Sequence, residues 1–224
     1  MRWGVVCLAA PLLALIAYVH CAEAASPSGE TAEAFKLKPD PANGAKIYAT
    51  TCAHDCHGPD GHGDAHGDFP QIAGQLWAVC VKQIADIRAK NRDAPDMYPF
   101  VSYEYVGGAQ GIADVCAHVE KLPMRKSLTN GPGENLKRGA QVYDQRCARC
   151  HGPKGGGNSA KVYPRLQGQA YEYLIRQMLA IRSGQRKNAD ADMIGVMHEL
   201  SLDETLSVAD HVSRFDTVPN AAKR

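Results

Sequence analysis

The chain has 224 residues, a formal net charge of +1, 45% hydrophobic and 22% charged side chains. That balance excludes a wholly disordered chain and gives no reason to propose nucleic acid, DNA included, as a partner. At roughly 100–150 residues per domain it is one large domain or two small ones, and with only 4 Phe and 2 Trp two small domains would have little large side-chain volume to bury.

Arg2 precedes the apolar run Trp3 to Val19, and Ala22-Glu23-Ala24 follows. This reads as a signal peptide over residues 1–24, cut before Ala25. The alternative is an uncut leader that tethers the protein to a membrane, because the run lies at the short edge of a spanning helix. The rest is expected to be exported, where thiols can be oxidised.

Beyond the leader the chain repeats itself. Cys56 to Arg88 aligns without gaps on Cys150 to Arg182 at an offset of 94, with 12 of 33 positions identical. Gly44 to Tyr48 aligns on Gly139 to Tyr143 at an offset of 95, so one extra residue lies between Cys52 and Cys56. Two copies make a tandem, predicted as domain 26–122, linker 123–134 and domain 135–224. In chain order, helices are predicted at 41–51, 75–90 and 111–121 in the first unit, and at 135–146, 169–184 and 202–214 in the second. Val79, Ile84 and Ile87, and Leu174, Met178 and Ile181, recur at helical spacing,. Gly- and Pro-rich loops at 58–74 and 152–168 break the helices,. Gly44 and Gly139 are expected to mark close helix packing, and Ser201 with Glu204 to open the last helix,. No alternating strand pattern appears, so both units are predicted to be all-α.

Cys147-Ala148-Arg149-Cys150-His151 is C-x-x-C-H, the attachment motif of a c-type haem, in which two thiols bond the macrocycle and the adjacent His reaches the iron. A zinc ribbon would need a second ligand pair, a thioredoxin-like site a βαβ context, and a plain disulfide leaves His151 unexplained. Cys52 to His57 reads C-x-x-x-C-H. Its repeat context predicts a second haem, with His57 as axial ligand; the competing reading is a degenerate domain that holds a Cys52–Cys56 disulfide. The sixth ligand should lie downstream. In the first unit Met97 is the candidate by elimination, and in the second Met193 and Met197 stand four residues apart. His54, His62, His66, His118 and His211 are expected to be surface or packed residues rather than ligands.

With these residues in place the chain resembles the two-haem cytochrome c4 family of tandem class I cytochrome c domains. Phe69-Pro70-Gln71-Ile72-Ala73-Gly74-Gln75 and Tyr163-Pro164-Arg165-Leu166-Gln167-Gly168-Gln169 match that family's F-P-x-L-x-G-Q loop. The resemblance implies two haem c groups, selects Met193 over Met197, and puts the carbonyls of Pro70 and Pro164 on the ligating histidines, where such a partner fixes ring orientation. It also implies that the helices carrying Cys80 and Cys116 pack together, which predicts a Cys80–Cys116 disulfide. Two macrocycles would then supply the missing aromatic core. The first unit departs from the family in its extra residue and in the stretch Met97 to Val119, which is longer than its counterpart and lacks the L-S-D signature.

The implied function is periplasmic electron transfer between a protein donor and acceptor, such as a membrane oxidase or a periplasmic dehydrogenase. The alternative is a two-haem oxidoreductase, thiosulfate dehydrogenase-like or peroxidase-like, that uses the atypical first haem. Residues 26–125 carry 9 Lys+Arg against 13 Asp+Glu, and residues 126–224 carry 15 against 10. That polarity would orient the molecule so that different partners dock at each end.

Overall fold

A computed structural model describes residues 29–54 and 56–217. The predicted leader, with Cys7 and Cys21, lies outside the described residues. The chain there folds into two helical units with no β-strand among the described residues, only an isolated bridge between Asn158 and Tyr163.

The first unit contains α1 (Gly29–Ala34), α2 (Pro41–Ile47), α3 (Trp77–Arg88), α4 (Tyr103–Val106) and α5 (Ala109–Lys121). The second contains α6 (Leu136–Val142), α7 (Ala148–His151), α8 (Tyr171–Arg182), α9 (Ala191–Glu199) and α10 (Leu202–Ser213). Asp40 starts α2 by accepting the backbone N–H groups of Ala42 and Asn43, and Pro41 fills the first turn, where its missing N–H costs nothing,. Ser201 and Glu204 form the capping box that opens α10,.

The predicted first helices differ from observation in one respect. Each is α-helical for only seven residues and then widens into a π-turn, Tyr48–Cys52 in one unit and Tyr143–Cys147 in the other. The wider turn brings the chain into the cysteine motif, and π-turns inside helices commonly mark functional positions. Tyr48 and Tyr143 at the start of these turns are buried, and each hydroxyl donates at 2.6 Å to a carbonyl just past the motif, Gly58 and Gly152 respectively.

Each unit closes where its first helix crosses its last. A Cβ on Gly44 would stand 2.0 Å from the Asp114 carbonyl oxygen on α5, and one on Gly139 would stand 2.1 Å from that of Ser207 on α10. Only glycine permits these crossings. Around the first, Val81, Ile112, Val115 and Val119 are buried; around the second, Tyr143, Leu174, Met197, Val208 and Val212 are. Each such side chain contributes roughly 1.5–3 kcal/mol by leaving water. The first core alone is covered by α1, through Ala34 and Phe35, whose ring lies 5.5 Å from that of Trp77.

The linker is tied down along its length. Arg125 exchanges two backbone hydrogen bonds with the Gln71 side chain at 3.0 and 3.1 Å, Gly131 N–H donates to Ser213, and Gly133 N–H donates to Asp210.

Candidate haem sites

In each unit the histidine of the motif is buried and its Nδ1 lies 3.0 Å from the loop proline carbonyl, His57 with Pro70 and His151 with Pro164. A carbonyl only accepts, so Nδ1 carries the proton and Nε2 keeps its lone pair, the tautomer an iron ligand needs. Burial lowers the pKa of both imidazoles, the proline carbonyls oppose that shift, and near His57 the Arg92 charge adds to the lowering. Both rings are therefore held neutral.

The extra residue of the first motif does not disturb this arrangement. In the second unit the stretch after Cys147 is the helical turn α7. In the first unit the His57 N–H reaches back five residues to the Cys52 carbonyl at 3.3 Å, so a wider turn absorbs the insertion before the histidine. The carbonyl of His57 accepts from Gly63 and that of His151 from Gly157, the same separation in each loop. Burial, with the adjacent cysteine next, pushes the Cys52 and Cys147 thiols up to about 12. Neither Cys52–Cys56 nor Cys147–Cys150 is a disulfide; the one disulfide among the described residues joins Cys80 on α3 to Cys116 on α5, with Cα atoms 5.5 Å apart.

The methionines are placed differently in the two units. Met193 and Met197 lie on α9; Met197 is 1% exposed, while half-buried Met193 packs on the same core as Cys147 and Leu166. Met97 ends a 3-10 turn, Pro95–Met97, and is half-buried outside the first core cluster. His54 and His66 are exposed, His62 Nε2 lies 2.9 Å from the Pro123 carbonyl, and His118 and His211 rest on the rings of Tyr48 and Tyr143.

Residues that sequence reasoning passed over support the methionine segments and the boundary between units. The repeated Arg88 and Arg182 serve as clamps. Arg88 donates to the carbonyls of Val101 and Gly107 at 2.6 and 2.7 Å and pairs with Glu30, holding the segment that follows Met97, while Arg182 donates to the Leu200 carbonyl beyond α9. Between the units, Gln71 Nε2 donates to the Gly168 carbonyl at 3.0 Å, and Gln169 Nε2 returns a bond to the Gln71 carbonyl at 2.6 Å. Each glutamine lies in the loop that begins with a histidine-supporting proline.

A second cross-unit set is a quasi-twofold pair. Arg92 and Arg186 both donate to Gln83 Oε1, at 2.8 and 3.0 Å, and both donate to Gln177 Oε1, at 3.4 and 2.8 Å. Gln83 and Gln177 are repeat mates, and Arg92 and Arg186 continue the offset of 94 just past the aligned run, which is the signal that could have found them. Burial and the Arg92 charge pull the Arg186 guanidinium down to about 9. Burial alone would raise the phenol of Tyr173, but Arg92 and Arg186 outweigh it and lower its pKa. Among the described residues no carboxylate bonds either guanidinium. Two partly buried guanidiniums without a carboxylate partner suit an anionic guest,, and haem carries two carboxylate side chains. The donor set of each unit (two cysteines, a neutral imidazole with free Nε2, methionines downstream) also fits haem c. Among the described residues no cluster of three or more His, Cys, Asp or Glu could hold another metal.

A family model described as Cytochrome c matches residues 41–121 and 136–209. The thiosulfate dehydrogenase electron acceptor of Stutzerimonas stutzeri is 33% identical over 202 residues, 82% of this chain and 91% of that one. Cytochrome c4 of Azotobacter vinelandii is 34% identical over 151 residues, 62% of this chain and 71% of that one. The crystal structure of reduced cytochrome c4 from Pseudomonas stutzeri matches with a TM-score of 0.70 at 26% identity, over 80% of this chain and 100% of that one. Fold and site together define a cytochrome c built of two domains in tandem. Within that class the chain belongs to the cytochrome c4 family, two-haem electron-transfer proteins, and it carries two covalently bound haem c groups.

Proposed function

We propose that the chain is an exported electron carrier whose two irons are both closed by protein ligands, His57 and Met97 in the first domain and His151 and Met193 in the second. Cys52 and Cys56, and Cys147 and Cys150, would form the thioether bonds. Haem c supplies one-electron chemistry at its iron; the protein's part is to hold each imidazole neutral and oriented, to keep water out, and to join the sites. The observation that carries this reading is the matching histidine support, 3.0 Å to the proline carbonyl in both units despite the extra residue in the first motif.

The alternative enzyme needs an open or unusual first site. The first imidazole has the same burial and the same carbonyl partner as the second, which favours carrier over enzyme. Joining the Gln71–Gly168 and Gln169–Gln71 bonds to the two prolines gives a short bonded route between the ligating histidines. A periplasmic dehydrogenase as donor and a membrane oxidase as acceptor fit such a carrier, and the likeness to a thiosulfate dehydrogenase electron acceptor supports a sulfur-oxidising donor. Among the described residues no helix is long and apolar enough to cross a membrane.

Absorption and magnetic circular dichroism of the oxidised protein test the ligand sets. Two methionine–iron signatures are expected, with Met97→Ala removing one and Met193→Ala the other, and no carbon monoxide binding by the reduced wild-type protein. Carbon monoxide binding at the first haem of the wild-type protein would overturn the closed-site reading.

A further inference from the structure

The stretch after Met97 is longer than its counterpart in the second domain and differs from it in helix content, and it presents an unusual surface. Phe100, Tyr103 and Tyr105 are 40%, 66% and 49% exposed, and they are the large aromatic side chains left open to this degree among the described residues. They are held in two separate contacts. The rings of Phe100 and Tyr105 lie 6.2 Å apart, and the Arg88 guanidinium sits 4.3 Å from the Tyr103 ring centre. Pro95 and Pro99 are exposed beside them.

The backbone beneath is fixed. Val101 and Val106 are buried, and the carbonyls of Val101 and Gly107 are held by Arg88. Isolated exposed apolar residues are ordinary, but a preorganised aromatic group is the composition of a protein interface centre. The exposed charges in the same stretch are mostly acidic, Asp93, Asp96 and Glu104 against Lys90. Residues 26–125 as a whole carry four more acidic than basic side chains.

We propose that Phe100 and Tyr105, with the exposed Asp96 and Glu104 of the same stretch, form the docking face of the first domain for a redox protein whose own contact surface is lysine-rich around an apolar centre. This rests on the carrier reading, and it assigns the first domain, rather than the basic second one, to cationic partners. Charge attraction would set the rate and orientation of encounter, and the aromatic group would hold the complex long enough for one electron to pass. The electron lost by this chain's ferrous iron reduces the partner's ferric iron, and no proton or further reactant is needed.

The test measures electron transfer from the reduced holoprotein to a lysine-rich single-haem cytochrome c and, separately, to ferricyanide, a small, more strongly oxidising complex that needs no docking face. The expected result is a protein-to-protein rate that falls with added salt. It should drop roughly tenfold in the Phe100→Ser/Tyr105→Ser variant and lose most of its salt dependence in Asp96→Asn/Glu104→Gln. The ferricyanide rate should not fall in either variant, and the haem spectrum should stay unchanged in both. Equal protein-to-protein rates in the wild type and both variants would overturn the proposal. So would a wild-type protein that reduces ferricyanide but not the cytochrome, and so would a variant that slows both reactions alike. A wild-type protein that reduces neither would instead remove the carrier reading itself.

Discussion

Arg92 of the first domain and Arg186 of the second share both of their glutamine acceptors, Gln83 and Gln177, so each guanidinium is held partly by the other domain. The pair places two positive charges at the seam between the haem sites. Positive charge favours the reduced iron, so Arg186→Gln is expected to lower the potentials of both haems, not only that of its own domain. Spectroelectrochemical titration checks this, and a shift confined to one haem would show that the pair does not serve both sites.

His118 and His211, which lie against the rings of Tyr48 and Tyr143 and are not placed as iron ligands, give a pH dependence of known sign, because burial is the first cause that lowers both pKa values. The folded protein resists protonating these rings, whereas the unfolded chain protonates its histidines near the ordinary value of about 6.5. Below that pH the unfolded state binds more protons, so stability is full above it and declines as pH falls. Urea midpoints should be lower at mildly acidic pH than at neutral pH. The step should shrink in His211→Phe measured in parallel.

Gly139 permits the crossing of α6 and α10. Gly139→Ala would drive a methyl into the Ser207 carbonyl, which backbone movement alone can relieve. The expected loss is about 2–3 kcal/mol in the second domain, read as a lower denaturation midpoint of the signal from that haem, with the first domain unchanged.

The Cys80–Cys116 bond closes a separation of 36 residues in the first domain only. By loop entropy it contributes roughly 3–4 kcal/mol there. The double variant Cys80→Val/Cys116→Ala should lower the first domain's thermal midpoint while leaving the second's in place; equal midpoints in the two proteins would argue against that contribution.

Much of this was legible in the chain. The motifs pointed to two haems, the 94-residue offset exposed the tandem, and helical spacing placed α3, α5, α8 and α10 to within about two residues at each end. Gly44 and Gly139 stood out because a glycine inside a short helix needs a packing reason. The π-turns were not legible, since one residue of extra width leaves no mark on apolar periodicity. The roles of Arg88, Gln71 and Arg186 were hidden for a different reason. They bond main-chain carbonyls or partners as far as 13, 97 and 103 residues away, and the sequence near each residue says nothing about acceptors at that distance.

The central claim is that both domains hold haem, including the first, with its longer motif. Intact mass of the purified protein under denaturing conditions, read together with its pyridine haemochrome absorbance, tests this directly. The expected result is the mass of the polypeptide plus two covalently retained haems and a haemochrome equal to two per chain. One haem per chain, carried by the second domain alone, would contradict it.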